Sequence, residues 1–329
     1  MDRMRTEGRG THGGLMPGVV LAVAMGAAAM TLSPPPPERS DPVPSTAAQG
    51  DPNPWPAQED DSALENGLED DPALSAPELG DPRARAFFLA YRALIDSVTH
   101  RRNDVVFHLG RGPIHFQNGR FLKAGRVDGR ADCDPIFYRY SLEPLAEPPP
   151  APDELPTYCS DVLETLWGRT EGQIREHGRS TTFLDHRMFV NERLIGPLAA
   201  VERDIVNAAT RHADVVAWID ELDVTYSFIN REIAGSATRS RHAWGLAIDL
   251  LPRSYGGRHV YWRWSRALEG GDWDRIPMER RWSPPRRVVE IFERHGFVWG
   301  GKWPLFDAIH FEYRPEILLY NRMISAAGG

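Results

Sequence analysis

Residues 240–249 read SRHAWGLAID, and this stretch decides how the rest of the chain is interpreted. His242 stands before a turn at Gly245, and Asp249 lies in the strand-like run from 246 to 251. The turn between them is long enough to bring the imidazole and the carboxylate to one point. Both groups are good zinc ligands, and a catalytic zinc ion usually takes three protein ligands. The stretch therefore predicts two ligands of a metal site, although a turn histidine and a capping aspartate also occur at this spacing.

A second cluster, DAIHFE at residues 307–312, supplies the third candidate ligand, His310. Asp307 lies three residues upstream, at a predicted junction of loop and strand. A carboxylate in that position can take a proton from an attacking water and give it to a leaving amine. Taken singly, Asp307 could be a loop cap and His310 a core histidine. Both clusters contain residues that bind metals, and the second also contains a candidate general base. Their presence together favours a catalytic metal site.

The two clusters together resemble a known family. The signature S-x-H-x-x-G-x-A-x-D of the D-alanyl-D-alanine carboxypeptidase type of zinc peptidase, peptidase family M15, is matched by Ser240, His242, Gly245, Ala247 and Asp249. The second family block is present as GFVWGGKW at residues 296–303, followed by residues 307–312. The resemblance covers residues 220–317 and extends to VanY-like enzymes and phage endolysin endopeptidases. It implies a hedgehog/D-Ala-D-Ala peptidase-like α+β domain, in which a small antiparallel sheet carries the metal and helices flank it.

The resemblance also implies roles for the residues that match. His242, Asp249 and His310 would bind one Zn2+ ion, and Asp307 would be the general base. Arg231 would bind a substrate carboxylate or stabilise the oxyanion, with a structural ion pair as the alternative.

Further candidates surround these groups. Ser240 would orient the histidine loop by hydrogen bonding, and Glu312 would support a ligand or form a salt bridge. Three tryptophans are candidates for the ligands' surroundings or for a substrate cleft: Trp244, Trp299 and Trp303.

Two departures from the family pattern bear on specificity. The branch that cleaves D-Ala-D-Ala usually has Glu three residues before the last histidine, whereas this chain has Asp307, which resembles the branch of L-alanyl-D-glutamate endopeptidases. In addition, residues 261–282 hold an unusual aromatic and basic stretch, which begins YWRWSR. Three interpretations of this stretch are open. It could form a cleft wall that binds sugars or an anionic glycan, it could be a surface for a partner, or its arginines and tryptophans could stack inside the fold.

The N-terminal 82 residues predict export and a tether. Residues 1–32 combine a basic start with an 18-residue uncharged run from Leu15 to Leu32, which is typical of a secretory signal or a retained membrane anchor. Residues 33–82 hold twelve of the 28 prolines and twelve acidic residues against Arg39 alone, which predicts a disordered acidic linker. This linker accounts for the net charge of −8, and the chain lacks the basic surplus that nucleic-acid binding needs.

Residues 83–150 predict an accessory helix and β-hairpin, ahead of a metallopeptidase domain at residues 151–329 with its core motifs at 220–317. Apolar residues at helical spacing run from Phe87 to Val98, and Asn118-Gly119 predicts a hairpin turn. A further helix is predicted from Val190 to Ala209. The two cysteines, Cys133 and Cys159, are candidates for a disulfide if the chain is exported, or are two unrelated buried thiols.

We therefore expect an exported zinc metallopeptidase of the periplasm or cell envelope. It would be a hydrolase of the D-alanyl-D-alanine carboxypeptidase type that acts on peptidoglycan stem peptides. It would meet the membrane only through its N-terminal segment and bind no nucleic acid. The alternatives are an L-alanyl-D-glutamate-type endopeptidase and a catalytically inactive, metal-stabilised module that binds the cell wall. Asp307 argues against the inactive module, because a binding protein has no need of a general base.

Overall fold

The computed structural model describes residues 79–101, 104–127, 134–230 and 238–327. The predicted signal or anchor at residues 1–32 lies outside these ranges, as does nearly all of the predicted linker at 33–82. None of the helices in the described ranges has the length and apolarity that a membrane-crossing segment requires. The expectations for the two N-terminal segments stay predictions.

The N-terminal part of the described chain is a helix followed by a four-stranded antiparallel sheet. The helix α1 is Pro82–Tyr91, and the carboxylate of Asp81 caps it by accepting a hydrogen bond from the Arg83 N–H. The predicted turn at Asn118-Gly119 is confirmed, since both residues have positive φ between the last two strands. In spatial order the strands are β1 Ile95–Arg101, β2 Asp104–Leu109, β3 Gly112–Gln117 and β4 Arg120–Lys123.

Two predicted helix boundaries are wrong. The apolar spacing extended the first helix to Val98, but the helix ends at Tyr91 and Val98 lies in β1, paired with β2. The β-branched side chains of this segment fit a strand, and pairing with β2 outweighs the helical spacing. The helix predicted from Val190 begins instead at Ile195, because Val190 belongs to a strand of the next hairpin.

The middle of the chain contains short helices, a hairpin and a longer amphipathic helix. The elements are α2 Asp161–Trp167, α3 Glu171–Glu176, β5 Gly178–Phe183, β6 His186–Asn191, α4 Ile195–Ala209 and α5 Ala213–Glu221. The predicted apolar stripe of α4 is buried at Leu198, Val201, Ile205 and Ala208. This stripe anchors the helix to the core.

A second four-stranded antiparallel sheet carries the two sequence clusters. Its strands are β7 Leu222–Tyr226, β8 Ala247–Pro252, β9 Phe297–Trp299 and β10 His310–Tyr313, and their spatial order is β7-β8-β10-β9. The remaining helices are α6 Trp262–Glu269, α7 Arg286–Arg294 and α8 Pro315–Ala326. Helices mixed with small antiparallel sheets confirm the predicted α+β class.

One buried apolar core joins the N-terminal part to this second sheet. Phe87 of α1 contacts Phe107 of β2 with ring centroids 5.0 Å apart, and Phe292 of α7 stacks on Phe311 of β10 at 4.0 Å. All four rings belong to one continuous cluster. The predicted accessory region at 83–150 therefore shares its core with the residues that follow, and the boundary at 150 does not separate two cores.

We expect Phe87→Ala to lower the free energy of unfolding by about 3–5 kcal/mol, because it removes a fully buried ring from this shared core. Chemical denaturation followed by tryptophan fluorescence should show one transition at a lower midpoint. Val206→Ala, at an exposed position of α4, is the control and should change stability by less than about 0.5 kcal/mol. A separate early transition in the Phe87 variant, with the main one unmoved, would contradict a shared core.

Candidate metal site

The pairing of β8 with β10 places two predicted ligands side by side. Asp249 lies directly opposite His310 in the antiparallel register. Opposed residues of an antiparallel pair project from the same face of the sheet, so the carboxylate and the imidazole meet. Phe311 and Ile248, the next pair along, project from the other face and are fully buried in the apolar core. Because side chains alternate between the two faces of β10, its polar residues face the site and its apolar residues face the core.

A tight turn before β8 brings the third ligand to the same place. Residues 241–244 form a 3-10 turn, and the hydroxyl of Ser240 accepts a hydrogen bond from the His242 N–H at 3.4 Å. Gly245 ends the turn with φ of +66°, a conformation that favours glycine. A Cβ at this position would lie 2.7 Å from the backbone nitrogen of Asn191. The glycine of the motif therefore lets β6 pack closely beneath the histidine turn.

Three ligand atoms converge in this arrangement. His242 Nε2 lies 3.1 Å from Asp249 Oδ1 and 3.2 Å from His310 Nδ1, and His310 Nδ1 lies 2.9 Å from Asp249 Oδ1. All three side chains are buried. Two imidazole nitrogens and one carboxylate oxygen form a donor set that suits zinc. The predicted ligands therefore meet at one point.

The outer nitrogen of each imidazole has its own hydrogen-bond acceptor. His242 Nδ1 lies 2.6 Å from the backbone carbonyl oxygen of Ser227, so this nitrogen carries the proton. His310 Nε2 lies 3.3 Å from Glu312 Oε2 and can donate to it. These contacts leave His242 Nε2 and His310 Nδ1 as the inner donor atoms and fix the planes of both rings, as expected of histidines that bind a metal.

A buried network of charges supports Glu312. Arg314 donates to Glu312 at 3.0 Å and to Glu316 at 2.6 Å, and Arg241 lies within 3.6 Å of both carboxylates. The hydroxyl of Tyr91 in α1 donates to Glu316 at 3.1 Å. Glu312 thus makes both of its predicted contacts, to a ligand and in a salt bridge. Sequence reasoning missed Arg314, although it follows His310 and Glu312 at the two-residue period of a strand.

The charges at this point of the fold favour a cation. Burial disfavours the imidazolium form, but hydrogen bonds to Asp249 and Glu312 outweigh it and raise the pKa of His310 to about 10. Burial likewise disfavours the ionised carboxyl of Asp249, yet the two histidines hold its pKa well below the usual range. The carboxylate of Asp249 therefore remains ionised and attracts positive charge to the point where the three ligand atoms meet.

Asp307 is half-buried at the edge of the same site. Its N–H donates to the carbonyl of Gly300 at 3.0 Å, and a Cβ at Gly300 would lie 2.5 Å from the carbonyl oxygen of Asp307, so only glycine fits there. Burial, followed by the negative charges of Asp307 and Asp249, raises the pKa of Tyr255. Asp307 lines the same cleft as His242 and His310, so it lies beside the ligand cluster.

A cleft of about 430 Å³ opens onto this site. Its lining includes Ser240, His242, Asp307, His310 and Glu312. Of the three predicted tryptophans only Trp303 lines it, with its ring centroid 5.3 Å from that of His310.

The other two tryptophans are part of the core and do not line the cleft. Trp244 and Trp299 are buried, and their indole N–H groups donate to the carbonyls of Gly168 and Ala308. Each of these large rings buries more apolar area inside the fold than it would at a solvent-filled cleft.

The remaining predicted residues are an arginine and the two cysteines. Arg231, the candidate for binding a substrate carboxylate, and Cys133 lie outside the described residues. Cys159 lines the cleft and is disulfide-bonded.

The aromatic and basic stretch at residues 261–282 is divided between the core and the surface. Trp262 and Trp273 belong to a small buried cluster with Phe306, and the guanidinium of Arg281 lies 4.1 Å from the centroid of the Phe306 ring. Within this described stretch, Trp264 is the tryptophan with an exposed side chain. Arginine–tryptophan stacking, one of the predicted alternatives, is present at Arg263, whose guanidinium lies 4.7 Å from the centroid of the Trp262 ring.

We expect Gly245→Ala to destabilise the protein by about 2–4 kcal/mol, because strain at positive φ adds to a clash with the Asn191 backbone. Gly256→Ala is a matched control, since Gly256 also has positive φ, +57°, but a Cβ added there would have no neighbouring atom within 4 Å. It should cost only about 1 kcal/mol. Thermal denaturation of both variants measures the difference, and equal losses would show that the close approach of β6 is unimportant.

Comparison with known proteins places this site in a family. Residues 234–313 match the family model described as D-alanyl-D-alanine carboxypeptidase. The match includes all three converging ligands and Asp307. No curated protein and no solved structure shows significant similarity to the chain. The match confirms the predicted resemblance: residues 234–313 are similar to the D-alanyl-D-alanine carboxypeptidase family of M15 peptidases.

Proposed function

We propose that this protein is an exported zinc-dependent peptidase that hydrolyses an amide bond in the stem peptides of peptidoglycan. The observation that carries the proposal is the convergence of His242, Asp249 and His310 at the end of a cleft that Asp307 also lines. The family match supports the substrate class. An exported enzyme of the periplasm or cell envelope would meet this substrate, as the N-terminal sequence predicts.

The residues present fit a single zinc ion. The inner atoms are two nitrogens and one oxygen, and the outer nitrogen of each histidine has an acceptor, so the inner nitrogens are the ones that would bind the ion. When bound, zinc supplies a Lewis acid that activates water and polarises a carbonyl group. Three protein ligands are the usual number for a catalytic zinc site.

The residues around the ligands have distinct tasks in hydrolysis. Asp307 accepts a proton from the attacking water and delivers it to the leaving amine. Glu312 holds the ring of His310 in place, and its own position is fixed by Arg314 and Arg241. Arg231, predicted from the family resemblance, offsets the charge of the substrate carboxylate or of the oxyanion. The cleft wall around Trp303 positions the peptide.

Two bonds of the stem peptide are compatible with these catalytic residues. A carboxypeptidase would release the terminal D-alanine, and an endopeptidase with the aspartate form of the motif would cut between L-alanine and D-glutamate. Mass spectrometry of defined muropeptides after incubation with the zinc-loaded protein distinguishes them, because one product list gives both the activity and the bond.

Asp307→Asn should lower kcat/KM by about 10²–10⁴-fold while the zinc content stays at one ion per chain, because only the proton acceptor is lost. Zinc is measured by atomic absorption and hydrolysis by release of D-alanine or muropeptide fragments. Asp96→Asn, at an exposed position of β1, is the matched control and should have wild-type activity. Full activity of His242→Ala, or activity that survives exhaustive chelation, would refute the proposal. Absence of hydrolysis in the wild type and the variant alike would support a binding module.

Glu312→Gln should weaken zinc binding about 10–100-fold, because the neutral amide orients His310 less well than the carboxylate. Competition with a chromophoric chelator measures the dissociation constant. Glu290→Gln removes a carboxylate from a surface pair with Arg286 and is the control. An unchanged zinc affinity in a folded Glu312 variant would show that this hydrogen bond does not matter for the metal.

A further inference from the structure

The outer wall of the cleft comes from a part of the chain that the family match does not include. Ile136, Tyr138, Arg139, Leu155 and Tyr158 line the cleft together with the ligand histidines. All five precede residue 234, where the match begins. The peptide that occupies the cleft therefore meets a wall that is built outside the family segment.

The wall is fixed to the metal strand through its backbone. Arg314 donates to the carbonyl of Ile136 at 2.8 Å, and the side chain of Asn321 donates to the carbonyl of Tyr138 at 3.1 Å. The hydroxyl of Tyr138 accepts a hydrogen bond from the indole of Trp303, whose ring lies beside His310. A wall held at three points in this way keeps its backbone in a constant position relative to the ligands.

The charged groups that line the cleft are mainly positive. Among the described residues, the acidic groups of the lining are Asp307 and Glu312, against five arginines: Arg139, Arg239, Arg241, Arg263 and Arg314. Arg241 and Arg314 pair with Glu312, and Arg239 donates to Asn230 and to the carbonyl of Arg169. The lining thus retains a positive surplus, which favours an anionic ligand.

Arg139 differs from the other four arginines. Its side chain is exposed to the cleft, and among the described residues it takes part in no hydrogen bond or ion pair. A guanidinium without a protein partner can give both of its forked N–H groups to a carboxylate. The hydroxyl of its neighbour Tyr138 accepts a hydrogen bond from Trp303, which holds this segment of the chain beside the cleft.

We propose that Arg139 determines specificity by binding a carboxylate of the peptide substrate. The inference rests on the proposed function and deepens it, because it assigns the selection of anionic peptides to a residue outside the family segment. Arg139 takes no part in the hydrolysis itself. Its loss should therefore raise KM and leave kcat nearly unchanged.

The test is a double-mutant cycle between the arginine and the substrate. A synthetic stem pentapeptide is compared with a series in which each of its carboxylates in turn is converted to a carboxamide. Arg139→Gln should lower kcat/KM for the parent peptide about tenfold, mainly through KM. For one of the carboxamide peptides the variant and the wild type should be equal, and that peptide identifies the carboxylate. Arg139→Lys should lose less than Arg139→Gln.

Controls separate this inference from the proposed function. Arg187→Gln removes the same charge from an exposed site on β6, outside the cleft, and should behave as wild type. The same peptides are also titrated into the zinc-loaded Asp307→Asn protein, with and without Arg139→Gln, and tryptophan fluorescence measures Kd. If the wild type cleaves none of the peptides, the proposed function fails, but the Kd series still tests Arg139. An Arg139→Gln effect that is equal for all peptides, or no effect on any, would overturn the inference.

Discussion

The hydrogen bond between His310 and Glu312 is the interaction on which the site depends. Glu312 can support the histidine only because Arg314 and Arg241 hold its carboxylate ionised inside the protein. Burial acts against that charge, yet His310 and the two guanidiniums keep the pKa of Glu312 far below its usual range. Arg314 also binds Glu316 and the carbonyl of Ile136. The guanidinium of Arg314 therefore connects the carboxylate that supports His310, the first turn of α8 and the cleft wall. Removal of Arg314 or of Glu312 would leave an uncompensated buried charge.

The strand β10 makes this arrangement possible because its two faces have different partners. His310 and Glu312 project toward the cleft, while Phe311 and Tyr313 project into the core, where Phe311 stacks on Phe292 and Tyr313 packs against Phe297. The aromatic face stabilises the strand through burial of apolar area, and the polar face holds groups that cost free energy to desolvate. The ligands thus lie on a rigid element whose position is set by packing on the opposite side.

The features that could be predicted best from the sequence are those that depend on local spacing and on the chemistry of individual residues. The turn that ends at Gly245, the strands β8 and β10 and the convergence of their polar residues could be predicted, because spacing and turn geometry are local properties. The end of α1 could not, since β1 pairs with β2 and this pairing overrides the helical spacing up to Val98. The wall that carries Tyr138 could not be predicted either. Its segment has no regular periodicity, and it is positioned by Arg314 and Asn321, more than 170 residues away along the chain. Trp244 and Trp299 lie next to the motif residues in sequence, but both are buried in the core, and sequence proximity alone could not distinguish that position from the cleft.

The attachment of the wall has a consequence for how such a protein can diverge. Two of the contacts that hold residues 136–140 use the backbone carbonyls of Ile136 and Tyr138, and others use the hydroxyls of Tyr138 and Tyr140, so none of them depends on the side chain of residue 139. Exposed positions such as 139 can therefore change without disturbing the ligands or the buried charges behind them. The substrate range of descendants could shift by single substitutions in a loop, while the chemistry on β8 and β10 stays the same. Substrate selectivity and catalysis would then depend on different segments of the chain and could evolve separately.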